Sequence, residues 1–187
     1  MTSSAHLAQL VEILARLSPA VHDHGIRVLE LARHLIAQLE VTEESRSELL
    51  AGSCFLHDIG KLAVREDLLT RNGPLSTTEM QQVRQHADIG ANVLAASGID
   101  AAIVLVVRHH HEWWNGGGYP RGLSGNQIPA LARLISVVDA YDAMTSARPY
   151  RRSLSSGAAI AELQRCSGTQ FDPAIVDKFS SLQISWL

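Results

Sequence analysis

Apolar residues recur at helical spacing along most of this chain. The first stripe predicts an amphipathic helix over about residues 4–17, with the apolar positions Leu7, Leu10, Val11, Leu14 and Leu17. Ser18 and Pro19 interrupt the pattern and end this helix. We expect the stripe to pack on the core of its own domain. A dimer contact and a connection to a regulatory domain are the alternatives.

Two more helices are predicted in the first third of the chain. One spans about residues 22–39 and turns His24 towards the interior, on the same face as its apolar residues. The other spans about residues 43–57 and ends at His57, where the nearby Gly60 is well suited to terminate a helix. A single inward histidine is usually a core residue that finds a hydrogen-bond partner, so His24 alone does not indicate a site.

Helix-start signals predict four further helices. The first is opened by the capping box Ser76–Glu79 and carries His86, and the second is capped by Asp100 and leads to His109-His110-His111. The third is opened at Ile128-Pro129 and contains Asp139, and the fourth is opened by Asp172-Pro173. No segment alternates with period two for long enough to form a convincing strand. The predicted fold class is therefore all-α.

Composition narrows the class of protein. At 187 residues and 46% hydrophobic residues, the chain fits one domain with a substantial core. A net charge of −3 argues against binding to polymeric nucleic acid. The two cysteines are far apart in sequence, so neither a thiolate zinc site nor a disulfide framework is indicated. The pattern of a signal peptide and a membrane-spanning run are not seen, which favours a cytoplasmic location away from the membrane.

Seven nitrogen- and oxygen-donor side chains stand out on five predicted helices or helix ends. Each has an ordinary structural explanation when it is taken singly. An aspartate in the apolar middle of a helix needs a partner, because burial of an unpaired carboxylate is costly. One metal cluster would satisfy all seven at once: His24, His57, Asp58, His86, His110, His111 and Asp139.

A glycine-rich loop follows the histidine run. Consecutive side chains on a helix point about 100° apart, so the three histidines cannot all reach one ion. We expect His110 and His111 to be the ligands, and His109 to face solvent or to lie behind them. Gly116-Gly117-Gly118 would let the backbone approach a ligand. The adjacent Trp114 either stacks on a base or anchors the loop.

Several blocks together resemble a known family. His57-Asp58 with Lys61 resembles the motif of the HD phosphohydrolase superfamily, and His110-His111-Glu112 with Gly118-Tyr119-Pro120 resembles the signature of its HD-GYP subgroup. The resemblance covers about His24 to Phe179. It implies a compact multi-helix bundle of the HD-domain type with an extra C-terminal helical portion. The expected division is an N-terminal helix and linker over residues 1–20 and the catalytic domain over residues 21–183.

The resemblance also implies an activity and a set of roles. The family hydrolyses cyclic di-GMP, and some members act on mixed cyclic GMP-AMP, with iron or manganese as the common metals. It makes the seven donors metal ligands, with Asp58 as a bridge. Lys61 is then a catalytic group that contacts a non-bridging phosphate oxygen or positions the hydroxide. Two cations can share a water, lower its pKa and hold the attacking and leaving oxygens. Imidazole and carboxylate donors without thiolate also suit zinc. Arg148, Arg151, Gly118 and Tyr119 are the implied substrate-binding residues.

One departure from the family pattern bears on the number of ions. Members with three metals carry a glutamate four residues before the histidine equivalent to His24, and here that position is Ala20. We therefore expect two divalent ions for each chain.

Two other functions compete with the phosphodiesterase. One is a catalytically weak module that binds the dinucleotide or docks a partner through the Gly-Tyr-Pro loop. The other is a general HD phosphohydrolase that acts on mononucleotides. The complete ligand set argues against the first, and the block from His110 to Pro120 argues against the second. A homodimer formed through the first helix is a further hypothesis.

Overall fold

The computed structural model describes residues 3–37, 47–146 and 153–182. Within these ranges the chain is helical and has no strand, which confirms the all-α prediction. The α-helices are α1 (Ser3–Leu17), α2 (Pro19–Ala37), α3 (Ser47–Leu56), α4 (Glu66–Leu69), α5 (Thr77–Arg84), α6 (His86–Ala96), α7 (Ala101–His109), α8 (Ala130–Thr145), α9 (Ser156–Arg165) and α10 (Pro173–Ser180). Two short 3-10 helices span Ile59–Ala63 and Gly125–Gln127.

Several helix starts lie where the sequence predicted them. The capping box is present, because Glu79 N donates to Ser76 Oγ at 3.3 Å and Ser76 N donates to Glu79 Oε2 at 2.9 Å. At the start of α7, Ala102 N donates to the Asp100 carboxylate at 2.7 Å. One prediction was wrong in detail: the helix expected to carry His86 is two helices, since α5 ends at Arg84 and α6 begins at His86 itself.

The apolar residues form two packed clusters. One joins α2, α8, α9 and α10 around Leu35, Tyr141 and Phe179. The other joins α1, α3, α6 and α7 and includes Leu7 and Leu14 of the first helix. The stripe on α1 therefore packs on the core of the same domain, as expected, although Leu17 is exposed. No helix within the described ranges is both long and apolar enough to span a bilayer.

A contact between two glycines brings the 3-10 helix Ile59–Ala63 against α6. A Cβ atom on Gly60 would lie 2.0 Å from His86 O and 2.7 Å from Gly90 N. A Cβ atom on Gly90 would lie 3.1 Å from Gly60 N. The prediction that Gly60 terminates the third helix was wrong, because α3 already ends at Leu56 and Gly60 lies within the 3-10 helix. What Gly60 provides is backbone-to-backbone contact between the residues next to Asp58 and the start of α6.

Candidate metal centre

Asp58 lies at the centre of a buried cluster of imidazoles. Its Oδ2 atom is 3.5 Å from His57 Nε2 and 3.9 Å from His24 Nε2. Its Oδ1 atom is 3.4 Å from His86 Nε2 and 4.0 Å from His110 Nε2. The two oxygens of one carboxylate thus face different pairs of imidazole nitrogens, an arrangement that suits a carboxylate bridging two cations.

The donor atoms form two groups that share Asp58. Within each group one donor atom from every residue lies within 4.8 Å of the others: Asp58 with His86, His110 and His111, and Asp58 with His24 and His57. Six of the seven predicted donors are therefore brought together in these groups. The cluster is fit to hold a metal ion.

Three of the imidazoles are held in the same way at helix ends. The Nδ1 atoms of His57, His86 and His110 lie 2.7–2.8 Å from the backbone carbonyls of Cys54, Val83 and Val107. Because a carbonyl oxygen only accepts, each Nδ1 carries the hydrogen and each Nε2 is left with a free lone pair. Histidine ligands of metals are usually oriented in this way.

Burial sets the protonation state of these imidazoles. It lowers the pKa of His57 and of His86, even though the Asp58 carboxylate opposes the shift. Burial and neighbouring imidazoles hold the pKa of His110 well below its ordinary value, and burial does the same for His111. All four are thus neutral near pH 7, which is the form that binds metals.

Two buried atoms at the centre have no hydrogen-bond partner among the residues that the structure describes. They are Nε2 of His57 and Oδ1 of Asp58. Burial raises the pKa of Asp58, but the charge of Lys61 and the neighbouring imidazoles outweigh it and hold the pKa well below its usual range. An ionised carboxylate oxygen and an imidazole lone pair that are buried without partners would both be satisfied by a cation. The residues present therefore fit a bound metal.

His24 joins this cluster to α8. Its Nε2 atom lies 3.0 Å from Asp139 Oδ1, and its Nδ1 atom lies 2.7 Å from Asp142 Oδ2. Burial lowers the pKa of His24, but the hydrogen bonds to these two carboxylates outweigh it and raise the pKa to about 9. Asp139 belongs to neither donor group, and it reaches the cluster through His24.

Asp142 was given no role from the sequence. Its carboxylate accepts hydrogen bonds from Arg27 Nε at 2.6 Å and from Arg27 Nη2 at 3.0 Å, in addition to its contact with His24. Burial raises the pKa of Asp142, but the hydrogen bonds from His24 and Arg27 lower it to about 2. A second acidic residue one turn after Asp139 was the available signal, because a carboxylate on the inner face of a helix needs a partner.

The structure shows the positions of two further residues that were assigned from the sequence, Lys61 and His109. Lys61 Nζ donates to Asp58 Oδ2 at 2.5 Å, and its side chain stays partly exposed. His109 is buried with its Nδ1 atom 3.5 Å from Glu112 Oε1, and it belongs to neither donor group. Of the two positions expected for His109, the solvent-facing one is wrong.

The glycine-rich loop is fastened at both ends. The buried Glu112 carboxylate accepts hydrogen bonds from the backbone N–H of Arg121 at 2.7 Å and of Leu123 at 3.0 Å. The sequence did not reveal this role of Glu112. At Gly118 a Cβ atom would lie 2.2 Å from Trp113 N, so this position requires glycine. Tyr119 N donates to His111 O at 3.1 Å. These bonds hold Gly118 and Tyr119 beside the cluster.

Trp114 contacts protein groups that fix the loop in place. Its backbone N–H donates to Gln170 O at 3.0 Å, and the Arg133 guanidinium lies 5.6 Å from its ring. Of the two roles left open for Trp114, these contacts support anchoring of the loop. The neighbouring Trp113 is exposed. Arg148 and Arg151, the predicted phosphate-binding residues, lie outside the described ranges.

Comparison with known proteins agrees with the motifs. A protein-family model described as HD domain matches residues 8–175. The cyclic di-GMP phosphodiesterase response regulator RpfG of Xanthomonas campestris pv. campestris is 37% identical over 177 residues, which cover 89% of this chain and 46% of that protein. The cyclic di-GMP phosphodiesterase of Thermotoga maritima is 33% identical over 186 residues, which cover 95% of this chain and 50% of that protein.

A solved structure supports the same fold. Bd1817, an HDG"Y"P protein from Bdellovibrio bacteriovorus, matches with a TM-score of 0.73 at 20% identity, over 95% of this chain and 60% of that one. At this identity the likeness shows the fold alone. The chain spans half or less of the length of the two curated relatives.

Proposed function

Because this chain belongs to the HD domain family, we propose that it is a metal-dependent phosphodiesterase that hydrolyses cyclic di-GMP to pGpG, GMP or both. The observation that carries the proposal is the Asp58 carboxylate, whose two oxygens face separate groups of imidazole donors. Two curated relatives with this activity in their names support the choice of substrate. The catalytic domain is proposed to span residues 21–183, with residues 1–20 as its N-terminal helix and linker.

The proposed centre holds two divalent ions, with iron or manganese ahead of zinc. Bound cations of this kind lower the pKa of water and offset the charge that develops on phosphate oxygens. The proposed ligands are His24, His57, Asp58, His86, His110, His111 and Asp139. Support comes from the neutral imidazoles of His57, His86, His110 and His111 and from two buried atoms that have no hydrogen-bond partner in the described part of the chain.

Other side chains would bind and orient the substrate. Lys61 is proposed as a catalytic group, because its ammonium lies at the Asp58 carboxylate and is partly exposed. Gly118 and Tyr119 would form one wall of the substrate cavity. Arg148 and Arg151 would bind phosphate, since a guanidinium can donate two hydrogen bonds to one phosphodiester. That proposal rests on the sequence. Dimerisation, docking at the loop and a cytoplasmic location are separate hypotheses.

One experiment tests the function. The protein is reconstituted with Fe(II) or Mn(II) without oxygen, incubated with cyclic di-GMP or with dNTPs, and the products are resolved chromatographically. Formation of pGpG or GMP supports the proposal. Tight binding without turnover would make the chain a binding module, and cleavage of dNTPs would make it a general phosphohydrolase. Arg148→Ala should raise KM for cyclic di-GMP and leave the metal content unchanged.

The ion count has its own measurement. Elemental analysis of the reconstituted protein should find two ions for each chain. Three ions would contradict the inference drawn from Ala20.

A further inference from the structure

One aromatic ring connects the cluster to a cationic side chain on α5. The Tyr119 ring stacks on the His111 imidazole, with 4.9 Å between centroids and 29° between planes. The Arg84 guanidinium carbon lies 5.0 Å from the centroid of the same Tyr119 ring. The guanidinium is therefore beside the metal centre, one ring away from a cluster imidazole.

The guanidinium N–H groups of Arg84 have no acceptor among the residues that the structure describes. Two other arginines near this loop, Arg108 and Arg121, both donate to the Asp88 carboxylate, at 2.6 and 3.3 Å. The side chain of Arg84 is exposed and forms no hydrogen bond or ion pair with any residue in the described ranges. A guanidinium that stacks on a ring uses its face, so its N–H edge is left for a ligand.

The chemistry of the ligand follows from this arrangement. A planar cation with unused N–H donors suits an oxyanion, and phosphate above all. A cyclic dinucleotide carries two phosphodiester groups, and only one of them can be at the centre of the cluster beside Asp58 and Lys61. The second phosphate would lie farther out, and Arg84 lies farther out, against the Tyr119 ring that stacks on His111.

We propose that Arg84 binds the phosphate that is not being cleaved, with the Tyr119 ring as the platform that holds its guanidinium in place. This inference rests on the proposed function, because it takes a cyclic dinucleotide as the substrate. Tyr119 then has two contacts: it stacks on His111 of the cluster, and it holds the Arg84 guanidinium that would bind the second phosphate.

The test measures steady-state hydrolysis of cyclic di-GMP by the Mn(II)-loaded protein and by Arg84→Ala, Arg84→Lys and Tyr119→Leu. Loss of a charge-assisted phosphate contact should raise KM by about ten-fold or more in Arg84→Ala, with kcat changed far less and metal content unchanged. Arg84→Lys keeps the charge without the planar fork, so its KM should lie between that of the unmodified protein and that of Arg84→Ala. Arg165→Ala removes an arginine from a surface ion pair on α9 and serves as the matched control.

Two further measurements separate phosphate binding from a structural role. The KM of the unmodified protein should rise with added NaCl, and Arg84→Ala should flatten that dependence because an exposed charge contact is screened by salt. In the Tyr119→Leu background, Arg84→Ala should raise KM by a smaller factor, since the platform is already lost. If Arg84→Ala fails to fold, Arg84→Lys decides: an unchanged KM would overturn the proposal, because the lysine lacks the planar fork of the guanidinium.

The outcomes are distinguishable. If the unmodified protein hydrolyses cyclic di-GMP and Arg84→Ala has an unchanged KM, the role of Arg84 is wrong and the proposed function stands. A fall in kcat and bound metal at constant KM would equally overturn it, by placing Arg84 in support of the centre. If the unmodified protein does not hydrolyse the dinucleotide, the proposed function and the role of Arg84 both fail.

Discussion

The Nδ1 atom of His24 lies 2.7 Å from Oδ2 of Asp142, and this contact directs the opposite nitrogen of the ring towards Asp139 and the cluster. Arg27 holds the same carboxylate from the other side with two hydrogen bonds. Asp142 thus acts on the centre by orienting a proposed ligand, although it belongs to neither donor group. Four side chains from α2 and α8 form one connected polar unit.

We expect Asp142→Asn to lower metal affinity about 10- to 100-fold, as the loss of residues that orient metal ligands commonly does. The amide keeps the size of the side chain but cannot accept from His24 and Arg27 with the same charge. Competition with a chromogenic chelator measures the affinity. Asp177→Asn on the exposed side of α10 is the control. Unchanged affinity in Asp142→Asn would show that His24 needs no orientation by this carboxylate.

Metal stoichiometry should separate the two donor groups. Asp58→Asn removes the carboxylate that both groups share, so both ions and all turnover should be lost. His24→Ala should release the ion held on its own side and keep the one held by His86, His110 and His111. Elemental analysis measures the number of ions bound to each chain in these variants. Asp67→Asn, an exposed carboxylate paired with Arg65, should retain both ions and activity.

Full metal content in Asp58→Asn would remove Asp58 from the bridging position. Equal loss of both ions in His24→Ala would show that the two groups do not bind independently.

The glycine contact beneath the cluster predicts a large loss of stability. A methyl group on Gly60 would overlap the backbone oxygen of His86, and no rotamer change relieves a clash with backbone. Gly60→Ala should therefore lower the free energy of unfolding by about 3 kcal/mol or more. Gly157→Ala, in α9 with open space around the position, should raise it by about 0.5–1 kcal/mol. Urea unfolding of both variants tests the pair, and equal stability would contradict the contact.

Removal of the Glu112 carboxylate should loosen the glycine-rich loop. Glu112→Ala leaves the N–H groups of Arg121 and Leu123 without their acceptor, at a cost of about 1–3 kcal/mol. Faster amide hydrogen exchange over residues 116–123 is the expected signature, together with a raised KM and retained metal. Protection equal to that of the unmodified protein would mean that other contacts are sufficient to hold the loop.

The sequence predicted the all-α class and the candidate donor residues, because both depend on short sequence patterns such as helix caps and motifs. The capping residues Ser76 and Asp100 act on their own helix, and they lie where expected. The seven donors were found because their types and motif positions are distinctive. Six of them converge in the structure, and Asp139 contacts the cluster through His24.

What the sequence did not predict depends on contacts between distant segments. Helix α9 was missed, since its apolar face is short and rests on only a few buried residues, such as Ala159 and Leu163. The role of Gly60 was assigned to its own helix because the partner that requires it, the backbone at His86, lies in another element. The role of Glu112 depends on the positions of loop residues that only the tertiary structure supplies. The role of Asp142 depends on the position of His24, although its place one turn after Asp139 was a signal in the sequence.

The glycine contact also limits how the centre can adapt to its ion. Side chains can change rotamer to suit a larger or smaller cation, but two touching backbones cannot move closer and have little room to slide. The spacing between the segment carrying Asp58 and the first turn of α6 is therefore set by backbone contact. The position of His24 is set by its contact with the Asp142 carboxylate, so a cation that bound here would have to suit a spacing that the protein fixes.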